Sequence, residues 1–242
     1  PVLVEWFDWQ IAAMAVAVFC LVLALALQPL RAKMDADRSP SARIVPGNVT
    51  GALRLVLGDP ALRRLAFASG AFAAMQFCFM SLFVTFTVER TGLGLVAVGS
   101  AFSSGLVVSI VARILWGWAA DRFRPHLVLA AIGIGMSAAA VLAAALGPDW
   151  PYAAVIALAT AFGATATAWQ GVYLAEVARH APKDRVADAT SGGMAITFLC
   201  SLLGPGAFSA LSTATGNDAA GFLTVAAVTF LFALALLRAG ES

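Results

Sequence analysis

Seven apolar stretches divide the chain, each close to the roughly 20 residues a helix needs to cross a bilayer core. They run about Ile11 to Leu27, Leu65 to Val88, Leu95 to Trp116, Leu127 to Leu146, Tyr152 to Val177, Val186 to Leu211 and Phe222 to Leu237. Most lack the polar face that a soluble surface helix presents. The pattern therefore predicts an all-α fold, a polytopic transmembrane bundle of seven spans, over a very hydrophobic soluble helical domain. Turn-forming residues mark the breaks: Glu89-Arg90-Thr91-Gly92, Gly117 to Pro125, Gly147-Pro148-Asp149, Arg179 to Arg185 and Gly216-Asn217-Asp218. Gln28-Pro29 ends the first span and opens a long polar connector, Arg31 to Arg64, which Pro40, Pro46 and Pro60 keep from being one continuous helix. Within it, Val49 to Leu57 reads equally as a short interfacial helix or as plain linker.

Composition agrees. Hydrophobic residues make up 61% and charged residues 12%, against about 45–50% and 25% in soluble domains. The three cysteines, Cys20, Cys78 and Cys200, lie in apolar runs. An odd number at membrane depth argues for packing rather than a disulfide framework. Trp6, Phe7 and Trp9 before the first span suit an interfacial aromatic belt, with Glu5 and Asp8 beside them. No signal peptide precedes that span, and the chain starts at Pro1 with almost no lead-in, which reads as a piece of a longer protein.

Charge placement sets the expected orientation. With the long connector inside, the inside segments hold Arg31, Lys33, Arg38, Arg43, Arg54, Arg63, Arg64, Arg122, Arg124, Arg179, Lys183, Arg185 and Arg238, 13 of the 15 Lys and Arg. The outside loops hold only Arg90, and Arg113 lies within a span. Positive-inside bias then puts the start outside and the C-terminus in the cytoplasm. The basic flanks also discount Asn48-Val49-Thr50 as a glycosylation site.

Few residues carry candidate chemistry. Ala97, Ala101, Gly105, Ser109, Arg113, Gly117 and Asp121 recur every four residues and share one helix face. Small residues allow close helix approach, so this face reads as a packed seam with a charged foot. Arg113 and Asp121 are about 12 Å apart along the axis, too far for an obvious pair. Arg113 either snorkels to the interface or joins a charge network at a gate or cavity. Gln76, Phe79 and Met80 on the second span, and Trp169, Gln170 and Tyr173 on the fifth, are the substrate-cavity candidates. A glutamine in lipid needs a partner, so Gln76 and Gln170 face either protein or a water-filled cavity. Glu176 either couples to protons or pairs with a nearby base such as Arg179. No metal-ligand cluster, phosphate loop or nucleophile–base pair is present in the sequence. No cofactor, metal, nucleic-acid partner or enzymatic activity is expected.

Gly117-x-x-x-Asp121-Arg122 after a span, with Arg124 close behind and Arg113 four residues before the glycine, resembles the signature turn of the major facilitator superfamily. Its basic tail departs from the family's fullest form, being Arg124-Pro125-His126. The connector with Leu57-Gly58-Asp59-Pro60 resembles that family's central loop. Gly171 to Glu176, Ala181 to Arg185, Gly204-Pro205 and Thr215-Gly216 resemble its tenth to twelfth helices. The resemblance implies a C-terminal half: residues 1–30 the sixth helix, 31–64 the cytoplasmic central loop, and 65–242 helices seven to twelve. It implies secondary active transport of a small solute by alternating access, ion- or proton-coupled, in a bacterial inner membrane. The implied conformational gate is Arg113, Gly117, Asp121, Arg122 and Arg124, set against a helix of an N-terminal half. A seven-helix receptor is the rival, since Asp121-Arg122-Phe123 follows the third span. The missing Asn-Pro-x-x-Tyr in the last span and the missing outer Cys oppose it. The substrate stays open.

Overall fold

A computed structural model describes residues 9–30 and 49–238. The belt residues Trp6 and Phe7, with Glu5 and Asp8, lie outside the described residues. So do Arg31, Lys33, Asp35, Asp37, Arg38, Pro40, Arg43, Pro46 and Asn48 of the connector. Among the described residues all regular structure is helical. The chain divides into two units, 1–46 and 47–242. The first contains helix α1 (Trp9–Leu27), followed by a 3-10 turn, Gln28–Leu30.

The second unit is a bundle. It comprises α2 (Val49–Gly58), α3 (Pro60–Thr91), α4 (Leu95–Arg122), α5 (Pro125–Ala144), α6 (Tyr152–Ala166), α7 (Gln170–His180), α8 (Val186–Thr215) and α9 (Asp218–Arg238). Six stretches of it are long and apolar enough to cross a membrane, with α6 and α7 together forming one, Tyr152–His180. With α1, whose apolar part runs Ala13–Leu27, they account for the seven expected stretches.

Local chemistry explains the ends. Asp59 caps α3, its Oδ1 accepting from the Ala61 and Leu62 amides at 2.8 and 2.9 Å, and Pro60 fills the first helical position. Capping meets amides that have no partner within the helix. At the far end α3 runs on through Glu89, Arg90 and Thr91, so the expected four-residue turn shortens to Gly92, left-handed at φ 69°, and its neighbours. In lipid, backbone groups gain from staying hydrogen-bonded, which favours extending the helix over opening the turn. The same effect shortens the other turn read from sequence. Gly117, Asp121 and Arg122 remain helical, leaving Phe123 and Arg124 as the link to α5. Val49–Gly58 is a helix and packs on α8 and α3, which settles the choice between helix and linker.

The main packing pairs are α3 with α8, α5 with α9, and α4 with α6. Hydrophobicity does not drive helices together inside lipid, so close backbone approach and polar contacts must. The α4–α6 seam shows both features. Ala101, Gly105 and Ser109 are buried, and Gly105 and Gly163 meet backbone to backbone with no room for a Cβ on either. Between α3 and α8, Ser69 and Thr197 share a buried hydrogen bond of 2.7 Å. Phe79, Phe83, Phe102 and Phe162 join α3, α4 and α6 in a ring cluster, with Phe79 stacked on Phe162 at 4.6 Å between centroids. Each such pair contributes about 0.5–1.5 kcal/mol beyond its area.

Candidate functional site

The fifth predicted span is not one helix. It breaks at Thr167, Ala168 and Trp169 between α6 and α7. A break at membrane depth strands carbonyls that need new donors. Two side chains of α4 supply them. Trp116 donates from Nε1 to the Ala164 carbonyl at 2.7 Å, and Arg113 donates from Nε to the Thr167 carbonyl at 3.0 Å. A guanidinium at a helix C-terminus also complements the dipole. Arg113 is thus neither merely snorkelling nor paired with Asp121; it closes the end of α6.

The break turns Trp169 and Gln170 toward α3. There the Gln76 Oε1 accepts from Trp169 Nε1 at 3.1 Å and from Gln170 Nε2 at 3.0 Å. One carbonyl oxygen therefore ties α3 to the end of the break and the start of α7. Gln76 Nε2 reaches only the Met80 sulfur, at 3.9 Å, a weak acceptor.

The six cavity candidates separate by depth. Phe79, Trp169 and Tyr173 are at most 1% exposed and sit inside the bundle. Trp169 packs edge-on against Phe72 and Tyr173. The Tyr173 hydroxyl rests against Gly193, beside the Ser69–Thr197 pair but without a hydrogen bond. Gln76 is buried as well, at 8% exposed, whereas Gln170 is half-buried and Met80 is 44% exposed.

The gate candidates do not form a cluster within these residues. Asp121, Arg122 and Arg124 are exposed. Among the described residues they make no side-chain hydrogen bond or ion pair.

Glu176 does not face Arg179, which is exposed. Its Oε1 lies 3.7 Å from His126 Nδ1 and 3.8 Å from His180 Nδ1. Both histidines are therefore brought to one buried carboxylate. Sequence reasoning missed this convergence. The signal available was topological, since both histidines and Glu176 flank turns at the same end of the bundle. Trp116 and Thr167 were missed as well.

The family model described as Major Facilitator Superfamily matches residues 1–191 and 98–241. The chain belongs to that superfamily. No curated protein and no solved structure matches it. Membership and the six spans of the bundle make the chain an integral membrane protein of a transporter family. Nothing in these comparisons supports a seven-helix receptor. The all-α, membrane-spanning fold expected from the pattern of apolar runs is the one observed.

Proposed function

We propose that these residues form the C-terminal part of a secondary transporter that moves a small solute by alternating access, coupled to an ion or proton gradient. The observation that carries the reading is the broken span α6–α7, with Gln76 bonded to Trp169 and Gln170 where α7 begins, in a chain of this superfamily. Transporters commonly place solute sites at discontinuous helices near the bilayer midplane. Gln76, Gln170 and Met80 are the contacting residues in this reading. Phe79, Trp169 and Tyr173 hold them in place from behind.

The bundle's second requirement is a partner surface. Val107, Ile110, Val111 and Ile114 on α4, and Phe198, Leu199, Leu202 and Leu203 on α8, are exposed. Part of this apolar surface meets lipid, and part receives an N-terminal six-helix half. Asp121, Arg122 and Arg124, with Gly117, form the gate at the cytoplasmic end, their charges directed to a helix start in that half. In this arrangement residues 1–30 are the last helix of the N-terminal half and the start lies outside, in a bacterial inner membrane. Export and import are both compatible with it. Rearrangement requires both halves, so uptake by these 242 residues alone would contradict the division.

The test is thermal unfolding of the full-length protein against panels of organic anions, organic cations and neutral sugars. One class is expected to raise the wild-type midpoint in a concentration-dependent way and to leave Gln76→Ala unmoved. Equal stabilisation of Gln76→Ala by every active solute would overturn the site assignment.

A further inference from the structure

We infer that the hollow between the start of α3 and the end of α9 binds an anionic phospholipid, with its headgroup at Arg64 and Arg238 and an acyl chain along α9. The hollow measures about 290 Å³ and is lined by Arg64, Leu231, Leu234, Ala235 and Arg238. One water takes about 30 Å³ of liquid volume, so the space suits a larger group. Two guanidiniums and three aliphatic side chains line it, and no acidic residue does. That composition fits an anion carried on hydrocarbon.

The sequence sets both cations at the edge of the membrane. Apolar runs begin at Leu65 and end at Leu237, so Arg64 and Arg238 each stand one residue outside a span. Sharing a hollow, they lie at the same membrane surface. Leu231, Leu234, Ala235 and Arg238 fall at i, i+3, i+4 and i+7, on one face of α9. Leu231 is 64% exposed. On α3, Phe67 follows Arg64 by three residues and stacks on Phe232 of α9 at 6.3 Å between centroids. A charged rim therefore passes directly into an apolar wall that runs toward the bilayer core. A free phosphate would use only the rim, whereas a phospholipid uses both.

The charges of the rim lack acceptors of their own. Arg64 Nε is buried without a hydrogen-bond partner, a costly state for a charged donor. Among the described residues neither Arg64 nor Arg238 makes a side-chain hydrogen bond or an ion pair. The nearby acids are engaged elsewhere. Glu176 shares a smaller hollow with Arg64 but lies against His126 and His180. Asp59 accepts from the Ala61 and Leu62 amides. Arg63 differs from its neighbour, since it does not line the hollow and donates to the Leu57 carbonyl at 3.1 Å.

A phosphodiester supplies the missing acceptors. Its oxygens match the planar fork of a guanidinium, which can take two of them at once. Basic pockets between helices at a membrane surface recognise anionic headgroups by this chemistry. A bound lipid would also clamp the start of α3 to the end of α9, the first and last spans of the bundle. The site depends on the bundle lying in a bilayer and not on the transport reading above.

The experiment is native mass spectrometry of the full-length protein in detergent, titrated separately with dioleoyl phosphatidylglycerol, dioleoyl phosphatidylcholine and glycerol phosphate. Phosphatidylglycerol adducts are expected at several-fold lower concentration than phosphatidylcholine adducts, and glycerol phosphate is expected to give none. Arg64→Gln and Arg238→Gln should each weaken phosphatidylglycerol retention about five-fold, while Arg63→Gln leaves it unchanged. Arg238 is exposed at a helix end, so its variant keeps the test open if Arg64→Gln does not fold. A phosphatidylglycerol with a diazirine on its acyl chain should crosslink to the segment Leu231 to Arg238. Equal retention of the two lipids would overturn recognition by charge. Glycerol phosphate binding as well as the lipid would reduce the site to an anion site and overturn the lipid assignment. An equal loss in Arg63→Gln, or crosslinks confined to other helices, would overturn the location. Failed transport with these results intact would count against the transport reading alone.

Discussion

Trp169 reaches across from the break between α6 and α7 to donate its indole N–H to Gln76 Oε1, at 3.1 Å. Gln170 donates to the same oxygen at 3.0 Å. Shape and chemistry meet there, since the oxygen that satisfies one buried and one half-buried donor belongs to the same helix as the exposed Met80.

Removing that oxygen should cost more than a surface hydrogen bond. Gln76→Leu strands the Trp169 indole N–H in a buried site, and an unsatisfied buried donor costs about 1–3 kcal/mol. Gln76→Glu keeps an acceptor in place. A lower unfolding midpoint for Gln76→Leu than for Gln76→Glu in the same detergent is the expected result. Equal midpoints would remove the triad from the account of stability.

Arg113 should act through the break rather than through Asp121. Arg113→Ala frees the Thr167 carbonyl, and its effect is expected to appear at Gln170. A cysteine at position 170 should change its labelling rate several-fold in the Arg113→Ala background and stay unchanged in Asp121→Asn. A double-mutant cycle of Arg113 and Asp121 should give coupling near zero, because the structure shows no contact between them.

The α4–α6 seam should tolerate no added volume at its closest point. Gly105→Val or Gly163→Ala places a side chain against the opposing backbone, and overpacking typically costs about 1–3 kcal/mol. Gly117→Ala, with nothing within 4 Å of its Cβ position, should leave the midpoint within a degree or two. Size-exclusion profiles and unfolding midpoints of the three variants check the contrast.

How much of this was legible in the sequence depends on where each element's cause lies. The long helices follow from their own composition, so the apolar runs gave them to within a few residues. Gln76 and Gln170 stood out because an amide in lipid needs a partner. The break at Thr167–Trp169 did not stand out, because no proline or glycine marks it. The carbonyls it frees are met by Arg113 and Trp116, about 50 residues away on α4. In sequence the nearest base to Glu176 is Arg179, which made that pairing one of two expectations beside proton coupling. The fold instead brings His126 from another helix, and helical spacing gives no information about that. The cavity set was drawn by polarity and depth along each span. Only the packing separated exposed Met80 from buried Phe79, Trp169 and Tyr173.

The most direct test of alternating access is sided labelling of Met80→Cys in the full-length protein, otherwise cysteine-free, in oriented proteoliposomes with a membrane-impermeant maleimide. The account predicts labelling from each face in separate experiments, and a several-fold shift in the ratio between faces when Asp121→Asn is added. Labelling from one face only, with a ratio that Asp121→Asn leaves unchanged, would contradict both the central cavity and the gate.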